Sequence, residues 1–319
     1  MHVITRSLGA LTAGLLALGL TACGGEAAPA DQSPSESSAP IVLEHAQGET
    51  TIDGPAQRIV VLDLGALDTL AALGVADSVV GITRGNVMPE ALSQFDDEKY
   101  AAVGSVKEPD LEAVAALDPD LVIAWFRSAS LVEELSKNFK TIDVTFDYAD
   151  GFYDGIEFST NLIAKAVGKE DVAQEQLAEV TAALEDAKEQ APTDKTAMIL
   201  MTSGGKVSAH GADSRFGLVH TELGIKQAIT DVEAEAHGDA ISFEAIAETN
   251  PDILYVVDRD AAIGEEGESA KQVLDNELVA TTNAWKNDEV VYLDGSRWYI
   301  MIHGVDNAVE MLKQSVEGL

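Results

Sequence analysis

The chain has 319 residues, of which 55 are acidic and 20 basic, giving a formal net charge of −35. That balance excludes nucleic acid as a partner, because holding phosphates requires clusters of Lys and Arg. The only cysteine is Cys23, which excludes a disulfide scaffold or a thiolate metal centre in the folded part.

In chain order, residues 1–22 read as a signal peptide. Arg6 supplies a positive start, and Leu8 to Leu20 is an apolar run too short for a stable membrane span. Leu20-Thr21-Ala22-Cys23 resembles a bacterial lipobox, which implies cleavage before Cys23 and a diacylglycerol on its thiol. Residues 23–40 carry Pro and Ser throughout and no large apolar side chain, the composition of a disordered tether. The chain from residue 41 to its end is long enough for two domains of ordinary size.

Residues 41–150 read as an N-terminal lobe. Ile59 to Leu62 is a buried strand, Leu64 to Leu73 a helix stopped by Gly74, and Val79 to Ile82 a second strand. A loop with Arg84 and a short helix near Pro89 to Phe95 come next. Pro109 is expected in the first turn of the following helix, where a missing N–H does no harm. Leu121 to Trp125 is a third strand, leading into Phe126 and Arg127. A helix over Leu131 to Asn138 and a strand over Thr141 to Thr145 complete the lobe. Continuous apolar strands alternating with amphipathic helices imply a parallel sheet covered on both faces.

Residues 151–168 read as a linking helix, with Phe152, Ile156, Ser159, Ile163 and Val167 near 3.6-residue spacing and Gly168 as its stop. About 16 residues would make a rod of roughly 24 Å, too stiff for a wide hinge. Residues 169–319 form the C-terminal lobe, opening with a charged helix over Glu170 to Gln190. Lys195 to Met201 and Lys206 to Ala209 are strands joined by a turn at Gly204-Gly205. Ser214 to Gly217 opens a helix through Leu223, so Arg215 is expected at a helix N-terminus, against the dipole. A helix over Ala270 to Leu274, a strand over Glu289 to Leu293, a loop at Arg297-Trp298-Tyr299 and a helix over Val305 to Val316 end the chain.

One element occurs twice. LEAVAALDPDLVIAWFR (111–127) and FEAIAETNPDILYVVDR (243–259) match at a constant offset of 132 residues, with both final arginines in register. A repeat this far apart implies two similar lobes. Each lobe would deliver one arginine, Arg127 or Arg259, from a strand end, where open α/β sheets bind ligands. The fold class is therefore α/β, with two lobes of mostly parallel sheet flanked by helices and joined by one long α-helix. Arg58 and Arg84 read as surface salt-bridge residues, and Trp125 as core. His45, His210, His220 and His303 lack partners at metal-ligand spacing.

The segments SRFGLVHTELG (214–224), HGDAISFEAIAETNPD (237–252), VVDRDAAIG (256–264), LDNELVATTNAW (274–285) and VVYLDGSRWY (290–299) resemble the substrate-binding lipoproteins of iron–siderophore ABC importers. These are helix-linked, class III periplasmic binding proteins, and the resemblance is to the catecholate, petrobactin-type group. It implies a ligand cleft between the lobes, with Arg127, Arg215 and Arg259 around a ferric catecholate. It also implies that His237 and Tyr299 ligate the iron when the siderophore leaves sites open, and that Glu112 and Glu244 dock a dimeric permease with its ATPase subunits. Trp298 is a candidate for stacking on the ligand and Arg297 for a fourth cation. The chain departs from the group after Tyr299, reading Ile-Met-Ile-His-Gly where small residues are usual.

Charge supports the constellation independently. A ferric tris-catecholate carries three negative charges, and each guanidinium at about 5 Å contributes roughly 3 kcal/mol before desolvation. No resident cofactor is expected, since the iron arrives within the ligand. The chain is expected to act as a lipid-anchored monomer on the extracytoplasmic face of the cell membrane, performing no chemistry. The alternatives are a receptor of the same fold for haem, a corrinoid or a ferric hydroxamate and, remotely, a secreted hydrolase, for which no G-x-S-x-G elbow is present.

Overall fold

The computed structural model describes residues 39–85, 87–232 and 238–319. The signal peptide, Cys23 and His237 lie outside the described residues. The first described element is an antiparallel hairpin, β1 (Ile41–His45) and β2 (Gly48–Ile52). Its strands leave little apolar pattern in the sequence, because only Leu43 and Ile52 are fully buried.

The first sheet and its helices follow the expected alternation. They are β3 (Ile59–Val61), α1 (Leu64–Ala72), β4 (Val79–Ile82), β5 (Ala101–Ala102), α2 (Leu111–Ala116), β6 (Leu121–Ala124), α3 (Val132–Leu135) and β7 (Thr141–Asp143). The strand order is β5-β4-β3-β6-β7, all parallel. The chain winds outward from β3 through β4 to β5, then returns past β3 to β6. The carboxyl ends of β3, β4 and β6 thus meet at a topological switch point. Pro109 stands one residue before the N-cap, not in the first turn; Asp110 caps α2 by accepting from the Glu112 and Ala113 amides, at 3.0 Å each.

α4 (Phe152–Val167) leaves the first lobe and ends at Gly168, whose φ of +66° closes the helix in the left-handed region. α5 (Glu170–Gln190) comes next. The second lobe holds β8 (Thr196–Ser203), β9 (Lys206–His210), α6 (Leu218–Thr221), β10 (Lys226–Gln227), β11 (Asp239–Ala240), α7 (Phe243–Thr249), β12 (Ile253–Asp258), α8 (Arg259–Ile263), α9 (Ala270–Val273), α10 (Asn283–Lys286) and β13 (Val290–Leu293). α11 (Val305–Gln314) is the last helix. The sheet runs β11-β9-β8-β12-β13, with β10 also on β8. β8, β12 and β13 are parallel, while β8-β9 and β9-β11 are antiparallel.

The repeat has a matching backbone. α2 and α7 start, and β6 and β12 start, at equivalent positions. Asp118 (φ 45°) and Asn250 (φ 51°) make the same left-handed turn between helix and strand. Short polar side chains tolerate that turn.

A second tie joins the lobes besides α4. The stretch after Tyr299 reaches into the first lobe, where His303 stacks on Trp125 with ring centroids 3.3 Å apart and its Nε2 lies 2.9 Å from Asp63 Oδ1. Gly65 is required there, since a Cβ would lie 2.5 Å from the His303 ring. Asp68 Oδ2 then accepts from the Asp306 and Asn307 amides, both at 3.1 Å, so a side chain of α1 caps α11. One apolar cluster runs from Leu43 through α4 to Val316 and spans both lobes.

Burial pushes the Asp68 carboxyl up to about 7, against the two amide bonds that pull it down. A carboxyl raised in the folded state holds a proton that the unfolded chain releases near pH 4. Its ionisation therefore costs stability as pH rises from about 4 to about 7, on the order of 4 kcal/mol in full. Asp68→Asn keeps an acceptor without the charge. Its denaturant stability is expected to gain on that of the parent as pH rises from about 4 to about 7; parallel curves over that range would contradict the burial argument.

Candidate functional site

A cavity of about 320 Å³ lies where the two lobes face each other, with Arg84, Lys107 and Arg127 from the first lobe and Arg215, Arg259 and Tyr299 from the second among its lining. Among the described residues, no acidic side chain lines it. In a chain of net charge −35 this is a local reversal of sign.

Each cation is placed by local chemistry. β6 runs into a tight turn in which the Trp125 amide donates to Ser128 Oγ (3.0 Å) and the Phe126 amide to Thr145 Oγ1 (2.9 Å). Arg127 emerges from that turn and its Nη2 donates across the cleft to the Tyr299 carbonyl at 3.2 Å. Arg259 is the first residue of α8. Its Nε donates to Tyr299 Oη (3.1 Å) and its Nη1 to Ser203 Oγ (3.2 Å), with Asp260 at 3.3 Å and Glu265 at 3.8 Å.

Arg215 is 6% exposed. Its guanidinium carbon lies 4.3 Å from the Tyr299 ring centroid and 4.8 Å from that of Phe216. The expected place in a helix's first turn is not there: α6 begins at Leu218 with Gly217 as N-cap, so Arg215 lies two residues ahead of the cap of a single-turn helix. It sits in a turn that requires Gly217, where a Cβ would lie 1.8 Å from the Ala212 carbonyl oxygen.

Tyr299 is the shared partner. The carbons of the Arg127 and Arg259 guanidiniums lie 5.1 and 5.8 Å from its ring centroid. Burial pushes its phenol up, but Arg215, Arg127 and Arg259 together hold it below the usual tyrosine value. Burial lowers the Arg215 pKa, aided by Arg127 and opposed by Tyr299. A guanidinium nevertheless stays charged under any physiological condition. The arrangement offers an oxyanion or an anionic chelate several fixed positive charges around a phenol whose ionisation they favour.

Arg127, Arg215, Arg259 and Tyr299, separated by up to 172 residues, meet at one cavity. Trp298 does not. It is fully buried, with Nε1 donating to Gln314 Oε1 at 3.0 Å, because Ser296–Ile300 forms a π-turn that sends neighbouring side chains to different sides. Nor does Arg297 supply a fourth cation, since its Nη1 donates to Asn307 Oδ1 (3.2 Å) and its Nε lies 3.7 Å from Asp294. Arg84 is more than a surface residue. It pairs with Asp96 at 3.2 Å and also lines the cavity, a position that the switch point after β4 could have signalled. Lys107 gave no signal in the sequence. Glu112 and Glu244 are exposed in the first turns of α2 and α7, one per lobe.

Comparisons with known proteins agree on one family. The family model described as periplasmic binding protein matches residues 59–296. Petrobactin-binding protein YclQ of Bacillus subtilis is 41% identical over 264 residues, covering 82% of each chain. Its crystal structure superposes with a TM-score of 0.83, covering 88% of this chain and 98% of that one. Ferric-anguibactin-binding protein FatB of Vibrio anguillarum is 32% identical, covering 88% of this chain and 87% of its own. The crystal structure of the periplasmic catecholate-siderophore binding protein VctP of Vibrio cholerae gives a TM-score of 0.81 at 32% identity, covering 86% and 99% of the two chains.

The electrostatics can be tested without a ligand. Arg215→Ala removes a cation that favours the phenolate, so the Tyr299 phenol is expected to titrate at higher pH. Near-ultraviolet tyrosinate absorbance, differenced against Tyr299→Phe, reads that midpoint. An unmoved midpoint would show that the guanidinium does not act on the phenol.

Proposed function

The chain belongs to the periplasmic binding protein family, and from that premise we propose that it captures a ferric siderophore of catecholate type between its lobes for an ABC permease. The observation that carries this reading is the cavity itself, with five cationic side chains and no acidic one in its lining among the described residues. A ferric catecholate is anionic, and planar guanidiniums suit its delocalised oxygens better than ammonium groups do. A neutral ferric hydroxamate would gain little from such a lining. The names of YclQ, FatB and VctP point the same way.

The protein acts by binding and release, not by reaction. Iron is cargo, held within its chelator. Where the chelator leaves coordination sites open, Tyr299 supplies a phenolate in this reading, supported by the three arginines that favour its ionisation, and His237, outside the described residues, supplies the second ligand. Cys23 carries the lipid anchor that keeps the protein, as a monomer, at the outer face of the membrane. Glu112 and Glu244 form the contact with the dimeric permease, whose ATPase subunits drive transport; their exposure on repeat-equivalent helices, one in each lobe, supports this reading.

Two substitutions test these roles. Arg259→Gln combined with Arg127→Gln is expected to weaken a ferric catecholate at least about a hundredfold, roughly 3 kcal/mol, measured by quenching of tryptophan fluorescence. Unchanged affinity, or tighter binding of a neutral ferric hydroxamate by the parent, would overturn the ligand class. Glu112→Ala with Glu244→Ala is expected to abolish uptake in cells while leaving that affinity intact, and normal uptake would remove the docking role.

A further inference from the structure

Phe126 occupies a backbone conformation that its residue type disfavours. Its φ is +32°, in the left-handed region. The other non-glycine residues there, among the described residues, are Asp118, Asn250 and Asp288. Asp and Asn tolerate that region through local hydrogen bonds of a short polar side chain, an option that a phenyl group lacks.

The surrounding turn holds the strain in place. The Phe126 amide donates to Thr145 Oγ1, and the Thr145 amide donates to Asp143 Oδ1 at 3.0 Å. The Ser128 amide returns to the Trp125 carbonyl at 2.9 Å. What this achieves is not core packing, since Phe126 is 37% exposed. The residue lines the cavity next to Arg127, and its ring is backed by the indole of buried Trp125 at 5.1 Å and a tilt of 38°. A strained residue that leaves a large apolar ring open to a ligand cavity points to a use for the ring.

We infer that Phe126 is a specificity-determining residue that packs against a planar aromatic ring of the bound chelator. It would make the cleft prefer aryl-bearing ferric chelates to aliphatic ones of similar charge. This deepens the siderophore reading and rests on it. The arginines answer to negative charge, which an aliphatic carboxylate chelate also carries. The phenyl ring answers to another ring, through offset-stacked or edge-to-face contact. The strained turn fixes Phe126 beside Arg127, so one rigid segment presents a cation and an aromatic surface together.

The test compares ferric dihydroxybenzoate, an aryl chelate, with ferric citrate, an aliphatic one, on the intact protein. In Phe126→Leu, which keeps an apolar side chain without a ring, the ratio of the two affinities is expected to fall about three- to tenfold. Phe126→Tyr is expected to retain the ratio. Phe126→Gly is expected to lose it while melting no lower than the Leu variant, because glycine adopts a positive φ freely. Equal weakening of both chelates in the Leu and Gly variants would overturn the role of Phe126 and leave the siderophore reading standing. Failure of the unsubstituted protein to bind ferric dihydroxybenzoate would overturn both.

Discussion

Three guanidiniums converge on the ring of Tyr299, and the rest of the molecule is arranged around that convergence. Arg215 approaches within 4.3 Å of the ring centroid, Arg127 within 5.1 Å and Arg259 within 5.8 Å. Like charges gathered around one ring repel one another. The electron-rich ring face and the phenol oxygen offset part of that repulsion. An anionic guest would offset more, so the cluster is poised for one. The same field favours the phenolate, which is the form that the proposed iron-ligating role of Tyr299 requires.

Convergence requires that the lobes be held in register. α4 supplies a covalent link, and the stretch from Ile300 to Asn307 supplies a non-covalent one. His303 fits between Gly65 and Trp125, and Asp68 caps α11 from the opposite lobe. Tyr299 lies directly before this stretch and bonds to an arginine of each lobe. A continuous apolar core through α4 and α11 joins the two sides of the cleft.

Much of this was legible in the sequence. The alternation of apolar strands and amphipathic helices gave the layers, and the 132-residue repeat implied twin lobes. The Gly204-Gly205 turn has φ values of +57° and +73°, as a tight hairpin requires. What escaped did so for physical reasons. The β1-β2 hairpin buries too few side chains to leave a pattern. Arg84 pairs with Asp96, which is what a surface arginine does, and nothing local shows that it also faces a cavity. Trp298 and Tyr299 are neighbours of similar character, and only the π-turn decides which of them is buried in the core and which meets the arginines.

The sequence by itself determined the α/β class, the lobed organisation and the paired arginines Arg127 and Arg259, because periodicity and repetition are local or self-referential signals; Arg215 was reached through the family resemblance. The tertiary structure decided which cations share a cavity, which aromatic side chains face it, and how the segment after Tyr299 ties the lobes together. Those properties depend on distances between residues far apart in the chain. They are set by packing and backbone geometry, to which a linear pattern carries no direct reference.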